Sequence, residues 1–197
     1  VCPGGEVVAA ASEAGRVVTN GMSEYARDGE NINGALLVNV TPADFPDSHP
    51  LSGVRLQRQL EDAAYALGGD YRAPCQRVED FLAGRPSTGC GAVRPSYRPA
   101  VAYTDLHRCL PPFLSETLAL ALPELGKKLR GYDDPDALLT GVETRSSSPV
   151  RLVRDDRYEA NIRGLYPCGE GAGYAGGILS AAADGMRCAE KLLEVYR

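Results

Sequence analysis

Histidine is scarce in this chain: His49 and His107 are the only two in 197 residues. The six cysteines, at 2, 75, 90, 109, 168 and 188, are widely spaced and form no Cys-x-x-Cys pair. Zinc sites want clustered Cys and His ligands, so a zinc centre is not expected, and no other metal ligand set stands out. Free thiols in a cytoplasmic protein are the expectation instead. Positive charge is also short, with 21 Lys and Arg against 26 Asp and Glu and a net charge of −5. Nucleic-acid binding wants a basic face, so it is not expected. No apolar run approaches the roughly 20 residues of a membrane span, and no signal peptide is apparent. No His is placed to serve a serine, which removes a hydrolase triad. The acids of Asp28-Gly29-Glu30-Asn31 lack the spacing of a calcium loop and read as a turn. With 44% hydrophobic residues, one large domain or two small ones can bury a core. Val1-Cys2-Pro3 is an abrupt beginning without Met, and the expectation is an excised fragment.

What the chain does have is a concentration of glycine at one place. Residues 164 to 184 run from a short apolar segment through Gly169, Glu170, Gly171, Gly173, Gly176 and Gly177 into small residues suited to a helix. Glycines at a strand-to-helix turn let backbone approach a ligand, and a new helix presents unpaired N–H groups to it. That is dinucleotide chemistry. Gly171, Gly173 and Gly176 fit G-x-G-x-x-G, but that fingerprint needs a second strand about 20 residues on, carrying an acid for the ribose. Here the expected helix runs on through Ala189-Glu190-Lys191-Leu192-Leu193, and no such strand follows. A Walker A reading fails because no Lys-Ser/Thr follows the glycines.

The other reading is the closing motif of large FAD enzymes, in which the last strand and helix face the flavin. Glu170 suits the hydroxyl donors of the ribityl chain. The N–H groups around Gly177 and Ile178 would face the pyrimidine edge of the ring. A helix N-terminus favours negative charge there by roughly 0.3–2 kcal/mol, which suits a reduced anionic flavin. The plainer alternative is a tight corner in which glycine only relieves crowding.

Several motifs in order carry a resemblance: Cys2-Pro3-Gly4-Gly5-Glu6-Val7-Val8, Thr19-Asn20-Gly21-Met22-Ser23, Ala73-Pro74-Cys75-Gln76-Arg77-Val78 with Asp80-Phe81-Leu82, and Pro95-Ser96-Tyr97-Arg98-Pro99. Gly141-Val142-Glu143-Thr144-Arg145 and Ser147-Ser148-Pro149-Val150-Arg151 follow, leading into the glycine turn. The chain resembles the C-terminal part of the uncharacterised FAD-dependent, or NAD(FAD)-utilising, dehydrogenases. The resemblance implies an FAD cofactor and redox chemistry on a small-molecule substrate, with NAD(P)H a candidate electron donor. It also implies that the ADP half of FAD sits on an N-terminal Rossmann unit, and no early G-x-G-x-x-G occurs in this chain.

The fold class that follows is an α/β flavoprotein fragment. It comprises the C-terminal strand and helix of an FAD-binding Rossmann-like domain plus an inserted α+β substrate domain, with the N-terminal ADP-binding βαβ unit absent. Strands at 1–40 mark the junction, 41–136 the inserted domain, and 137–197 the C-terminal part of the FAD domain. Short strands are expected over Glu6–Ala11, Arg16–Thr19 and Ala35–Val40. Leu56, Leu60, Ala63, Ala64 and Leu67 predict a helix from Gly53 to Gly68-Gly69, and Gln76–Ala83 fits two further turns. A helical region starts near Pro111, and Pro123 is expected to break or restart it. Strands are expected at Ala137–Val142 and Pro149–Val153, with a final buried strand at Leu165–Cys168. A closing helix is expected from Gly177 to Val195.

Other residues are candidates for chemistry. By resemblance Cys2, Gly4 and Gly5 lie near the flavin, where a thiol could react if its pKa were lowered; the plain alternative is a packed Cys in a glycine turn. Glu143 is a candidate proton acceptor and Arg145 a carboxylate fork, against a Glu–Arg pair that only holds a strand end. Ser146-Ser147-Ser148 suits a turn cap. Arg94, Tyr97 and Arg98 sit in the Gly/Pro-rich 84–99 segment, which reads either as a substrate-binding loop for an anion or as a mobile surface loop. The function expected is flavin-mediated hydride transfer, with orientation and electrostatics supplied by protein. The alternatives are a non-catalytic ligand- or partner-binding module that keeps the fold, or flavin chemistry on a bulky substrate.

Overall fold

The computed structural model describes residues 2–195. The chain divides into two compact units, one running up to Thr41 and then over Gln57–Thr144, the other over Pro42–Leu56 and from Arg145 onward.

In the first unit, β1 (Gly5–Ala9) and β2 (Thr19–Ser23) form an antiparallel pair with Glu6 opposite Met22. The second strand begins where Arg16–Thr19 was expected to end, because Asn33 fixes the pairing farther along. Its side-chain amide donates to the carbonyls of Glu6 (2.9 Å) and Met22 (3.1 Å). Gly21 leaves room for that amide, since a Cβ there would stand 2.5 Å from the Asn33 oxygen. Residues 35–40 are irregular, not a strand, and the Ala35 carbonyl is taken by the Tyr132 hydroxyl at 3.3 Å.

The core of this unit is a three-stranded sheet in the order β4–β3–β5, with β3 (Ala73–Arg77) central. It runs parallel to β4 (Val101–Tyr103) and antiparallel to β5 (Leu138–Thr140). The central strand was not expected, because it contains proline, which removes a ladder donor. Pro74 is tolerated because its carbonyl still accepts from the Gly141 N–H at 3.0 Å. The buried Gln76 side chain bridges two loops, donating to the Arg85 carbonyl (2.7 Å) and accepting from the Leu106 N–H (2.8 Å).

Helices α1 (Ser52–Gly68) and α3 (Pro112–Lys128) follow the predicted apolar spacing, whereas α2 (Val78–Leu82) is shorter than the expected Gln76–Ala83 because Gln76 and Arg77 belong to β3. Pro123 does not break α3, which continues through it. An interior proline costs about 3 kcal/mol or more, and Leu122, 1% exposed in the core, and Leu118 packed against it offset that cost. Ala64, Ala73, Val78, Phe81, Leu106 and Leu122 form the centre of the cluster.

The second unit carries one long helix, α4 (Ile178–Val195), as expected. The strands expected at 149–153 and 165–168 are absent; both segments are irregular. Among the described residues no strand lies beside 165–168, and its carbonyls are satisfied otherwise. Pro167 accepts from the Arg154 guanidinium at 2.7 Å and Leu165 from the Ala160 N–H at 2.8 Å. Helix α4 buries Asp184 and Cys188, while Leu179, Met186 and Leu193 stand exposed on another face. Among the described residues no helix is long and apolar enough to cross a membrane.

Candidate functional site

The glycine turn in the second unit is built around one buried ion pair. Arg154 and Asp184 have side chains only 8% and 12% exposed, and they meet in a bidentate pair at 3.0 and 2.7 Å. The guanidinium lies 3.6 Å from the centroid of the Tyr174 ring and 3.9 Å from that of Tyr158, a favourable place for a cation on aromatic faces. Asp184 Oδ2 also accepts from the Gly169 N–H at 2.8 Å, so the pair grips the turn at both Pro167 and Gly169. The Arg154 guanidinium, and then the Gly169 N–H, hold the Asp184 carboxyl below its usual range despite desolvation.

Beyond Gly169 the turn is held by its own backbone and its neighbours. Gly173 N–H donates to the Glu170 carbonyl (2.9 Å) and Tyr174 N–H to the Gly169 carbonyl (3.0 Å). The Arg151 side chain donates to the Gly173 carbonyl at 3.0 and 3.1 Å, and Ser148 Oγ to the Gly171 carbonyl at 3.1 Å. Ser148 thus braces the turn through its hydroxyl.

The glycines divide into two kinds. Gly173 has φ +81°, and a Cβ there would stand 2.4 Å from the Val150 carbonyl oxygen; the fold itself demands glycine. Gly171 has nothing within 4 Å of a Cβ, and Gly176 and Gly177 meet only serine hydroxyls at 4.0 and 3.8 Å. These three are not needed to relieve crowding among the described residues. They leave open space along the backbone that leads into α4. Ile178 and Leu179, at the start of that helix, are 90% and 86% exposed. The Glu170 side chain is exposed and makes no hydrogen bond or ion pair among the described residues.

Gly4 and Gly5 belong to the demanded kind. At Gly4, φ is +56° and a Cβ would lie 2.2 Å from the Arg27 backbone; at Gly5 it would lie 2.5 Å from both the Asn33 side chain and the Cys2 carbonyl. Cys2 is half-buried and forms a bridge with Asn33, whose carbonyl accepts its N–H at 2.7 Å.

Glu143 belongs to the first unit and the exposed Arg145 to the second. Glu143 is half-buried without a hydrogen-bond partner among the described residues, and burial pushes its carboxyl up. A carboxyl raised by desolvation suits proton transfer near neutral pH. Because its folded pKa lies above the unfolded value, its contribution to stability is full at low pH and is lost as pH rises through the folded pKa. Glu143→Gln is therefore expected to raise the melting temperature at pH 7 and leave it nearly unchanged at pH 3. Thermal melts at the two pH values check this, and equal shifts at both would refute it.

The 84–99 segment is tied down along its length. Arg85 pairs with Asp80 (2.6 Å) and Glu79 (2.7 Å), Ser87 Oγ donates to Asp80 (2.7 Å), and Ser96 Oγ accepts from the Val7 N–H (2.9 Å). Tyr97 is a core residue, 5% exposed, with its hydroxyl donating to the Tyr71 carbonyl at 3.3 Å. Arg94 and Arg98 are exposed, and their guanidinium groups have no partner among the described residues. His107 packs against Phe81 with ring centroids 4.5 Å apart. No metal-ligating cluster occurs among the described residues.

No motif in the sequence marks Arg154 as a site residue. The available signal was Asp184 itself: an acid on the buried stripe of a helix of small residues needs a buried cation.

Residues 1–146 match the model of the family described as FAD-dependent protein, C-terminal domain-like. A relative, described as an uncharacterized protein of Clostridium beijerinckii, is 52% identical over 198 residues that take in all of this chain and 37% of its own length. The chain belongs to the FAD-dependent protein C-terminal domain-like family, and it spans little more than a third of that relative. The family match ends before the glycine turn, whereas the relative's similarity continues through it.

Proposed function

We propose that this chain is the C-terminal part of an FAD-dependent oxidoreductase, with Gly169–Ile178 as its flavin-facing turn. One observation carries the reading most directly. Gly171, Gly176 and Gly177 have open space where side chains would stand, next to an unpartnered Glu170 carboxylate and the fresh N-terminus of α4. Glycine without internal crowding is what close approach of a ligand to backbone requires.

The turn's parts fit FAD by chemistry. Glu170 would accept from ribityl hydroxyls, the first N–H groups of α4 would favour the negative charge of a reduced ring, and the exposed Ile178 and Leu179 would offer it apolar surface. When bound, the flavin supplies two-electron hydride chemistry. Within the second unit, the Arg154–Asp184 pair fixes the turn; in the first unit, Glu143 is the candidate to hold a proton and Arg94 and Arg98 are the candidates to attract an anion. We assign the reaction to the dehydrogenase class and the ADP half of the cofactor to a Rossmann-like unit of the longer protein.

Glu170→Ala in the full-length protein is expected to weaken FAD binding about tenfold, the loss of roughly 1.4 kcal/mol from one charge-assisted hydrogen bond. Urea unfolding should be unchanged, because Glu170 supports nothing in the fold. Fluorescence titration with FAD reads the first quantity, and unaltered affinity would remove Glu170 from the site.

A further inference from the structure

Four of the six cysteines fall into two contrasting pairs. Cys75 and Cys109 lie in the core of the first unit, where burial pushes each thiol up to about 11 and makes it a poor nucleophile. Cys168 and Cys188 are different. Cys168 is exposed and immediately precedes Gly169, while Cys188 is buried on the inner face of α4. The segment that carries Cys168 is fastened to that face on either side of it. Gly169 N–H bonds to Asp184, and the Cys188 thiol, one helical turn beyond Asp184, points to the Tyr166 carbonyl at 3.8 Å. Burial, and after it the neighbouring Cys168 thiol, raise the Cys188 pKa.

We infer that Cys168 and Cys188 are a dithiol–disulfide redox pair, with Cys168 the attacking sulfur and Cys188 the resolving one. Accessibility assigns the roles, since only Cys168 can meet an incoming disulfide. The oxidant is a small-molecule disulfide. Cys168 thiolate attacks one sulfur of it, the reagent's S–S bond breaks, and one thiolate leaves and takes up a proton. Cys188 then releases its proton to water and attacks the Cys168 sulfur. The mixed disulfide breaks, the Cys168–Cys188 bond forms, and the second thiol departs. Two protein thiols lose two electrons and two protons, and one disulfide gains them.

The pair stands on its own geometry; its consequence rests on the proposed flavin reading. The loop closed by this bond, 168–188, contains the whole cofactor turn and the start of α4, so oxidation locks the segment that would hold the ring. Resolution by Cys188 should quicken with rising pH, because burial, and secondarily the Cys168 thiol, raise its pKa.

The test uses the full-length protein, treated natively with oxidised glutathione and digested with trypsin without reductant. Arg163, Arg187 and Lys191 place the two cysteines on separate peptides, 164–187 and 188–191. The expected product is these two peptides linked, lighter by two hydrogens than their sum, and lost on reduction. In Cys188→Ser the same treatment should leave glutathione on Cys168. A glutathione adduct that persists on Cys168 in the wild type, two unmodified thiols, or pairing with another cysteine overturns the proposal. The visible spectrum of the same sample separates the two ideas. Linked peptides without flavin absorbance keep the pair and remove the flavin reading; flavin without linked peptides does the reverse.

Discussion

Arg154→Ala is expected to loosen the whole second unit and to abolish flavin binding with it. The substitution leaves the Asp184 carboxylate, 12% exposed, without its cation, and removes the bond to Pro167 and two aromatic contacts. Breaking one side of a buried pair typically costs about 3–5 kcal/mol, because the remaining charge stays desolvated. Amide exchange at residues 166–175 and along α4 should rise by orders of magnitude, while the first unit's central strand keeps its protection. Asp184 adds a pH signature. Its folded pKa lies below the unfolded value of about 3.9, so its stabilisation is present above that pH and is lost as pH falls through the folded value. The wild type's second unit should therefore weaken on acidification below about pH 4, and Arg154→Ala should show much less of that dependence. Unchanged exchange in the variant would mean the pair does not hold the turn.

The second large effect separates two glycines three residues apart. Gly173→Ala forces a side chain into positive φ and against the Val150 carbonyl, 2.4 Å away. Such backbone strain alone costs of order 1–3 kcal/mol, and the clash adds to it, so the unit should lose stability and FAD together. Gly176→Ala meets nothing closer than 4.0 Å. It should leave unfolding unchanged and still lower FAD affinity, because the added methyl occupies space proposed for the ligand. Paired urea melts and FAD titrations distinguish the outcomes. Equal behaviour of the two variants, in either direction, would contradict the division of the turn into fold-demanded and ligand-facing glycines.

Much of the fold was legible because local pattern and tertiary packing agree. Leu56, Leu60, Ala64 and Leu67 mark α1, and small residues after Gly177 mark α4. Where they conflict, sequence misleads. Pro74 hides the central strand, and Pro123 suggests a break that core packing of Leu122 overrides. The three residues of β4 are too few to show a period of two. Leu165–Cys168 has the apolar character of a strand but no neighbouring strand among the described residues. The site was half legible. Glycines and Glu170 lie in one continuous motif, whereas Arg154 stands 30 residues from Asp184 and nothing in the intervening sequence announces their meeting. Only three-dimensional contact sorts the glycines, since Gly173 and Gly176 look alike in a sequence.

The visible spectrum of the full-length protein, purified and then titrated with FAD, tests the flavin assignment most directly. Flavin absorbance is expected to co-purify with the protein or to be acquired stoichiometrically on titration, and to bleach on anaerobic reduction. A colourless protein whose spectrum and fluorescence ignore added FAD would contradict it, and would leave the glycine turn as part of a non-catalytic binding module.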